Sequence, residues 1–326
     1  MKSTVLVTGA AGFIGSHLAE RLIDTGYRVV GLDNFDDYYP PAIKRANIRP
    51  VAARDVFELV EGDIRDTDLI NRIFKDHDIS LVAHLAARAG VRPSIQQPGL
   101  YQDVNIGGTI NLLEASRTHD VRQFLLMSSS SVYGTGARAP FKENAKLDRP
   151  TSPYAASKLA AELFCRTYHH LYGIPVIVIR PFTVYGPRQR PEMAISLFTR
   201  QIDSGEEISV LGDGTSKRDY TYVSDIIDGT AQALASQNRG FRIFNLGGSR
   251  SVTLIELIRI IEKSLGKEAR IKHMPEQKGD MSVTYADITR AGKYLGYKPK
   301  VTIEEGIARF VEWYRKSAAT ARYDNA

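Results

Sequence analysis

The stretch Thr8-Gly9-Ala10-Ala11-Gly12-Phe13-Ile14-Gly15 sits between a short apolar run at 5–7 and a helical pattern of apolar side chains at 13–24. Few sequence features restrict a fold as narrowly. A strand that turns directly into a helix through glycines at these intervals makes a phosphate-binding turn. Gly9 permits the tight bend, Gly12 admits a pyrophosphate against the backbone, and Gly15 lets helix and strand pack closely. Free N–H groups and the positive end of the helix then face the phosphates. Asp33 closes the second strand, where a carboxylate meets the adenine ribose hydroxyls; taken alone it is a plain turn residue. Its charge would repel a 2′-phosphate and no arginine follows it directly, so the unit predicts NAD over NADP. Asp63, after the third strand, either accepts from the adenine amino group or caps the next helix.

The same rhythm runs through the first half. Strands are predicted at 28–32, 57–60, 81–85, 124–128 and 176–180, with helices at 66–74 and 101–116 between them. Such alternation predicts an α/β fold with a Rossmann-type doubly wound parallel sheet. The last of these strands is apolar until Arg180, as expected when both faces are covered. After Pro181 the rhythm breaks. A strand at 241–246 returns to the sheet, and amphipathic helices at 254–265 and 303–314 lie outside it. The chain therefore divides into a dinucleotide-binding domain, 1–180 with 221–253 returning to it, and a smaller mixed α/β C-terminal lobe for substrate, 181–220 and 254–326. Its 326 residues suit two packed domains of this kind.

Charge excludes little. Lys and Arg number 43 against 37 Asp and Glu, a net +6, but they are scattered, so no nucleic-acid partner is expected. Cys165 is the only cysteine, which rules out an intramolecular disulfide and suits a reducing compartment. The N-terminus lacks a signal pattern, and no apolar stretch approaches the ~20 residues a membrane span needs. A cytoplasmic protein without membrane contact is expected. Among seven histidines only His169-His170 adjoin, and no metal is expected.

Ser152-Pro153-Tyr154-Ala155-Ala156-Ser157-Lys158 reads as a helix start, with Ser152 as cap and Pro153 in the first turn, and the helix runs to Gly173. Tyr154 and Lys158 are four apart and share a face. A free tyrosine, with a pKa of ~10, is a poor base at neutral pH. A nearby ammonium and a cationic nicotinamide would favour the phenolate. Bringing the pKa near 7 requires roughly 4 kcal/mol of differential stabilisation. Ser128-Ser129-Ser130-Ser131 ends the fifth strand, and open α/β sheets bind ligands at the carboxyl ends of their strands. The alternatives are an exposed helix pair and a polar turn.

Together these residues resemble the extended short-chain dehydrogenase/reductase family over nearly the whole chain. Gly9, Gly12 and Gly15 match its cofactor motif, Tyr154 and Lys158 its catalytic motif, Ser129 its active-site Ser/Thr, and Asn105 its helix asparagine. Within that family the chain is similar to nucleotide-sugar 4-epimerases. Leu32-Asp33-Asn34-Phe35-Asp36-Asp37-Tyr38-Tyr39, Ala89-Gly90-Val91-Arg92, Phe182-Thr183-Val184-Tyr185-Gly186-Pro187 and Arg190-Pro191-Glu192-Met193-Ala194 most resemble UDP-glucuronate 4-epimerases. Arg188-Gln189 stand where many of those have Trp-Gly. Gln277-Lys278-Gly279-Asp280 lacks the arginine that some UDP-glucose epimerases place before Gly-Asp. These departures bear on the sugar, not on the reaction class.

The resemblance implies tightly bound NAD, a UDP-sugar substrate and a homodimer formed through the Tyr154 helix and the long helix before it. Ala155, Ala156, Ala160 and Ala161 permit such packing, or core packing equally. Its implied cofactor residues are Gly9, Gly12, Phe13, Ile14, Gly15, Asp33, Asn34, Asp63, Ile64, Leu85, Ala86, Ala87, Asn105 and Lys158. Tyr154 takes the 4-hydroxyl proton while C4 passes a hydride to NAD; Ser129 hydrogen-bonds the same oxygen; the keto sugar turns over and the hydride returns. Arg88, Thr183 and Arg218 fall to the substrate, Arg218 through charge-assisted bonds to the diphosphate or else as a surface ion pair. Asp280 accepts from a ribose hydroxyl. A uronate would add a problem, because its 4-keto form is a β-keto acid that loses CO₂ readily. Arg190, helped by Ser128 and Ser130, would clamp the carboxylate, or else is a solvent-facing loop cation. Related dehydratases carry Asp-Glu just after the active-site Thr, and related decarboxylases a Glu. Ser130 and Ser131 occupy those places and are poor general acids, which disfavours both reactions. A non-catalytic NAD-binding regulator is disfavoured by the presence of Ser129, Tyr154 and Lys158 together.

Overall fold

The computed structural model describes residues 3–236, 239–275 and 283–323, with side chains to 317. Seven strands form one parallel sheet: β1 (Thr4–Thr8), β2 (Arg28–Asp33), β3 (Phe57–Glu61), β4 (Ile79–His84), β5 (Gln123–Met127), β6 (Val176–Pro181) and the edge strand Phe241–Leu246. From the last named, their order is edge strand, β6, β5, β4, β1, β2, β3. The order reverses beside β1, where a doubly wound sheet opens a crevice at its carboxyl edge. Alternation in β1 shows why the sheet is covered on both sides: Val5 and Val7 join one apolar cluster, Leu6 the other, and all three are fully buried.

Helices α1 (Phe13–Asp24), α2 (Pro41–Ala52) and α3 (Thr67–Asp76) follow the first three strands. Asp66 caps α3 by accepting from the Leu69 N–H. The helix expected at 101–116 is broken: Pro98–Gln102 is α-helical, Asp103–Gly107 forms a π turn, and Gly108–Thr118 resumes the α-helix. The Tyr154 helix spans Pro153–Tyr172. Ser152 Oγ accepts from the Ala155 N–H at its start, and Gly173 closes it in the left-handed conformation at φ 72°. The Arg28, Phe57, Ile79, Gln123 and Val176 strands differ from the expected bounds by only one or two residues at an end.

Beyond Pro181 the chain builds small pairings rather than a second sheet. Val184–Tyr185 pairs with Thr221–Tyr222, Glu207–Leu211 with Arg270–Met274, and Lys217–Asp219 with Ser251–Thr253. Helices Ala194–Ser204, Leu254–Leu265 and Ile303–Tyr323 cover them, the last extending well past the expected 314. One apolar cluster runs from Val5 and Leu125 in the sheet to Leu257 and Ile307 in this lobe, so the lobe shares its core with the sheet. Asp219 is its buried knot, accepting from the Ala286 and Gly248 N–H groups and from Thr221; burial raises its carboxyl to about 6.

Candidate active site

A cleft of ≈ 450 Å³ opens over the carboxyl ends of β1, β2, β4 and β5, within the roughly 300–1,000 Å³ usual for small-molecule sites. Its floor at β1 is the glycine turn. Gly9 has φ +69°, and a Cβ there would lie 2.8 Å from the Ala86 nitrogen; one on Gly15 would lie 2.0 Å from the Gly9 carbonyl oxygen. Gly12 begins α1 with no side-chain cap, which leaves the helix's first N–H groups available to an anion. Phe13, Ile14, Leu85, Ala86 and Ala87 complete this wall.

Asp33 lies on that wall with its carboxylate already oriented: Oδ2 accepts from the Ala11 N–H at 3.0 Å and Oδ1 from the Phe35 N–H at 2.9 Å. Lys44, reaching in from α2, sits 4.0 Å from Oδ1. Asn34 Nδ2 donates to Asp63, which also accepts from the Arg65 N–H, Nε and Nη2. The Arg65 hydrogen bonds hold the Asp63 carboxyl down at about 2. Since Asp66 caps α3, Asp63 does not serve as the cap; it lines the cleft with Ile64. Asn105 lies elsewhere. Its side chain is off the wall, in the π turn, accepting from the Arg88 N–H and donating to the Arg88 carbonyl and to Ser157 Oγ. It joins the loop after β4 to the Tyr154 helix. Position in a helix cannot reveal such a role, because the π turn re-aims the side chain.

Tyr154 and Lys158 both face the cleft. Lys158 Nζ donates to the Met127 carbonyl at 2.8 Å, and burial lowers its pKa to about 8 against the opposing pull of Glu162. Burial raises the Tyr154 phenol, and it outweighs the Ser129 hydrogen bond and the Arg190 charge that pull it down. The expected pull toward the phenolate is that of the Lys158 ammonium together with a cationic nicotinamide.

Ser129, Ser130, Thr183, Arg88 and Arg190 line the opposite wall. Ser129 Oγ accepts from the Ser131 N–H at 3.1 Å, which caps the turn Ser130–Tyr133 and fixes the hydroxyl at the strand end. Ser128 differs from expectation. It borders the cleft, but its hydroxyl donates inward to Glu162 at 2.5 Å and is not offered to a substrate carboxylate. Arg88 pairs with Asp36, and Arg190 pairs with Glu192 at 3.2 Å. Both guanidiniums lie over the ring of Tyr38, at 5.0 and 5.4 Å. Arg218 stands on the strand Lys217–Asp219, off this wall, donating to the Lys217 carbonyl. Asp280 lies outside the described residues.

Sequence reasoning missed Tyr38, Lys44 and Glu162. Tyr38 falls in the stretch 32–39, where no local signal sets it apart. Lys44 had no local signal. Glu162 did have one: Arg180 ends an otherwise apolar strand, and a buried guanidinium requires a partner.

Residues 6–310 match the family model described as GDP-mannose 4,6 dehydratase. The chain belongs to this family of extended short-chain dehydrogenases/reductases. Among its relatives, the UDP-glucuronate 4-epimerase of Thermodesulfobacterium geofontis is 43% identical over 313 residues, covering 96% of each chain. The crystal structure of UDP-glucuronic acid 4-epimerase from Bacillus cereus, in complex with UDP-glucuronic acid and NAD, superposes with a TM-score of 0.91 at 37% identity, covering 96% of this chain and 99% of that one. A dTDP-glucose 4,6-dehydratase from Streptomyces venezuelae, with NAD bound, superposes almost as well, at a TM-score of 0.90 and 34% identity over 97% and 98%. Backbone likeness within this family therefore does not choose among its reactions; the side chains in the cleft must.

Proposed function

We propose that this extended short-chain dehydrogenase/reductase is an NAD-dependent 4-epimerase acting on UDP-glucuronate, giving UDP-galacturonate. The observation that carries the reading is the convergence of Tyr154, Lys158 and Ser129 on one cleft, with Arg190 acting on the Tyr154 phenol. The glycine turn, the uncapped start of α1 and the oriented Asp33 carboxylate fit NAD, which when bound accepts hydride from the sugar C4 and returns it. Gly9, Gly12, Phe13, Ile14, Gly15, Asp33, Asn34, Asp63, Ile64, Leu85, Ala86, Ala87 and Lys158 are the residues proposed to hold it.

Tyr154 removes the proton from the sugar O4 and restores it after the sugar turns over. Ser129 donates to the same oxygen and holds it beside the phenol. Lys158, as an ammonium, stabilises the phenolate. Arg190 offers a planar fork to the uronate carboxylate, which keeps that group ionised and resists loss of CO₂. Ser130, Thr183 and Arg88 bound the sugar, and Arg218 and Asp280 are proposed for the UDP end. Ser130 and Ser131 supply no acid of useful pKa, which argues against the elimination of water.

A homodimer is part of the proposal. Ile95, Leu163, Phe164, Leu171 and Tyr172 are exposed, four of them on the Tyr154 helix. Among its alanines, Ala155 and Ala161 are buried in the protomer, whereas Ala156 lies outside with this apolar face. No helix of the described residues is long and apolar enough to cross a membrane, and a cytoplasmic site of action is proposed.

The substrate is tested by incubating the enzyme separately with UDP-glucuronate, UDP-glucose and UDP-N-acetylglucosamine and identifying products by NMR. Epimerisation of the glucuronate is expected. Turnover of a neutral sugar alone would overturn the substrate.

A further inference from the structure

Behind the Tyr154–Lys158 face lies a buried ion pair that the reaction as described does not use. Glu162 is one helical turn past Lys158 on the same helix. Its carboxylate meets Arg180, at the end of β6, with two parallel bonds: Nε to Oε1 at 2.9 Å and Nη2 to Oε2 at 2.6 Å. Both side chains are almost wholly shielded from solvent, at 4% and 2% exposure. Arg180 Nη1 also donates to the Tyr133 hydroxyl, and Tyr133 in turn donates to Asn245 on the edge strand. The guanidinium is therefore fixed by Glu162 and Tyr133, and through Tyr133 it is tied to the edge strand.

Buried ion pairs are poor stabilisers, because desolvation cancels most of their attraction and an apolar pair of similar size often does as well. The position of this one gives it another use. Oε1 of Glu162 also accepts the Ser128 hydroxyl at 2.5 Å. Ser128 lies between Met127, whose carbonyl receives Lys158, and Ser129, at the O4 position of the proposed substrate. One carboxylate thus ties the helix bearing Tyr154 to the strand end bearing Ser129. The groups facing Lys158 are Glu162 and Cys165 on its own helix and His84 on β4. His84 is held between the Thr8 and Thr109 hydroxyls, and burial keeps it neutral at neutral pH. Cys165 is a buried thiol, raised by burial. Glu162 is then the anion that balances the lysine.

We propose that Glu162 is a positioning residue: clamped by Arg180, its carboxylate fixes Ser128 and the flanking Met127 and Ser129, and supplies the counter-charge that keeps Lys158 an ammonium. The proposal rests on Tyr154 being the proton-transfer group.

The test uses the NAD-loaded enzyme with UDP-glucuronate, measuring kcat and KM across pH, thermal unfolding and retention of NAD. In Glu162→Gln, kcat should fall about 10- to 100-fold, the loss typical of small misplacements, with KM within about two-fold. Its alkaline limb should move down by about one pH unit or more, the usual effect of losing a neighbouring opposite charge. Ser128→Ala should fold but melt somewhat lower, having lost a buried hydrogen bond to a carboxylate, keep its limb and lose about ten-fold in kcat. If Glu162→Gln does not fold, Glu162→Gln/Arg180→Met strands no guanidinium and should still show a downward limb, smaller because the Arg180 charge that repels Lys158 has gone with its partner. An unmoved limb in the folded variant, or an undiminished kcat in Ser128→Ala, overturns the proposal. Full activity of Tyr154→Phe would instead overturn the reading on which it rests.

Discussion

Around the glycine turn the wall of the cleft is mostly backbone, whereas at the sugar end it is side chains held in pairs. Gly9, Gly12, Ala86 and Ala87 offer main-chain groups there, and the Asp33 carboxylate is itself fixed by the backbone N–H groups of Ala11 and Phe35. At the other end Arg190 leans on Glu192 and Tyr38, and Arg88 on Asp36 and Tyr38. The difference separates two tasks. A pyrophosphate is the same in every substrate complex and suits a rigid cradle, while the sugar must be chosen and then turned over, which suits side chains that can exchange partners.

If that division holds, damage at the sugar end should strike turnover and damage at the turn should strike loading. Tyr154→Phe should have the largest effect, a loss of about 10³-fold or more in kcat with NAD retained, measured as steady-state turnover of UDP-glucuronate. Arg190→Leu should cost about 100-fold in kcat/KM for UDP-glucuronate, the scale of a buried charge pair broken on one side, and far less for UDP-glucose. Equal losses on the two sugars would remove the carboxylate role. Gly15→Ala drives a methyl into the Gly9 carbonyl. It should lower stability by at least about 2 kcal/mol and release NAD on gel filtration. Asn105→Ala sharpens the boundary. It leaves the Arg88 carbonyl and N–H short of partners, so a loss of about 1–2 kcal/mol in denaturant unfolding is expected, with NAD still bound. Loss of NAD from this folded variant would return Asn105 to the cofactor.

The same division explains what could be read without coordinates. Gly9, Gly12, Gly15 and Asp33 act through local spacing, and Tyr154 with Lys158 through one helical turn, so sequence order alone brings them together. Asn105 reads as an ordinary helix residue, because nothing in the sequence marks the π turn at Asp103–Gly107 that carries it. Its place at a strand end offers Ser128 to substrate, yet Glu162 captures its hydroxyl from a helix 34 residues on. The lobe resisted for a related reason. Its pairings are two to five residues long and join distant segments, such as Glu207–Leu211 with Arg270–Met274, and so short a strand carries little periodicity. The helix Pro41–Ala52, which delivers Lys44 to Asp33, contains Pro50 and gave no clear helical signal.

The central claim is that Tyr154 moves only the O4 proton while the hydrogen on C4 leaves and returns to the same carbon. UDP-glucuronate carrying deuterium at C4, incubated in ordinary water and examined by NMR, tests it directly. Full retention of the label at C4 of the inverted sugar is the result expected. Exchange of that label with solvent would contradict it.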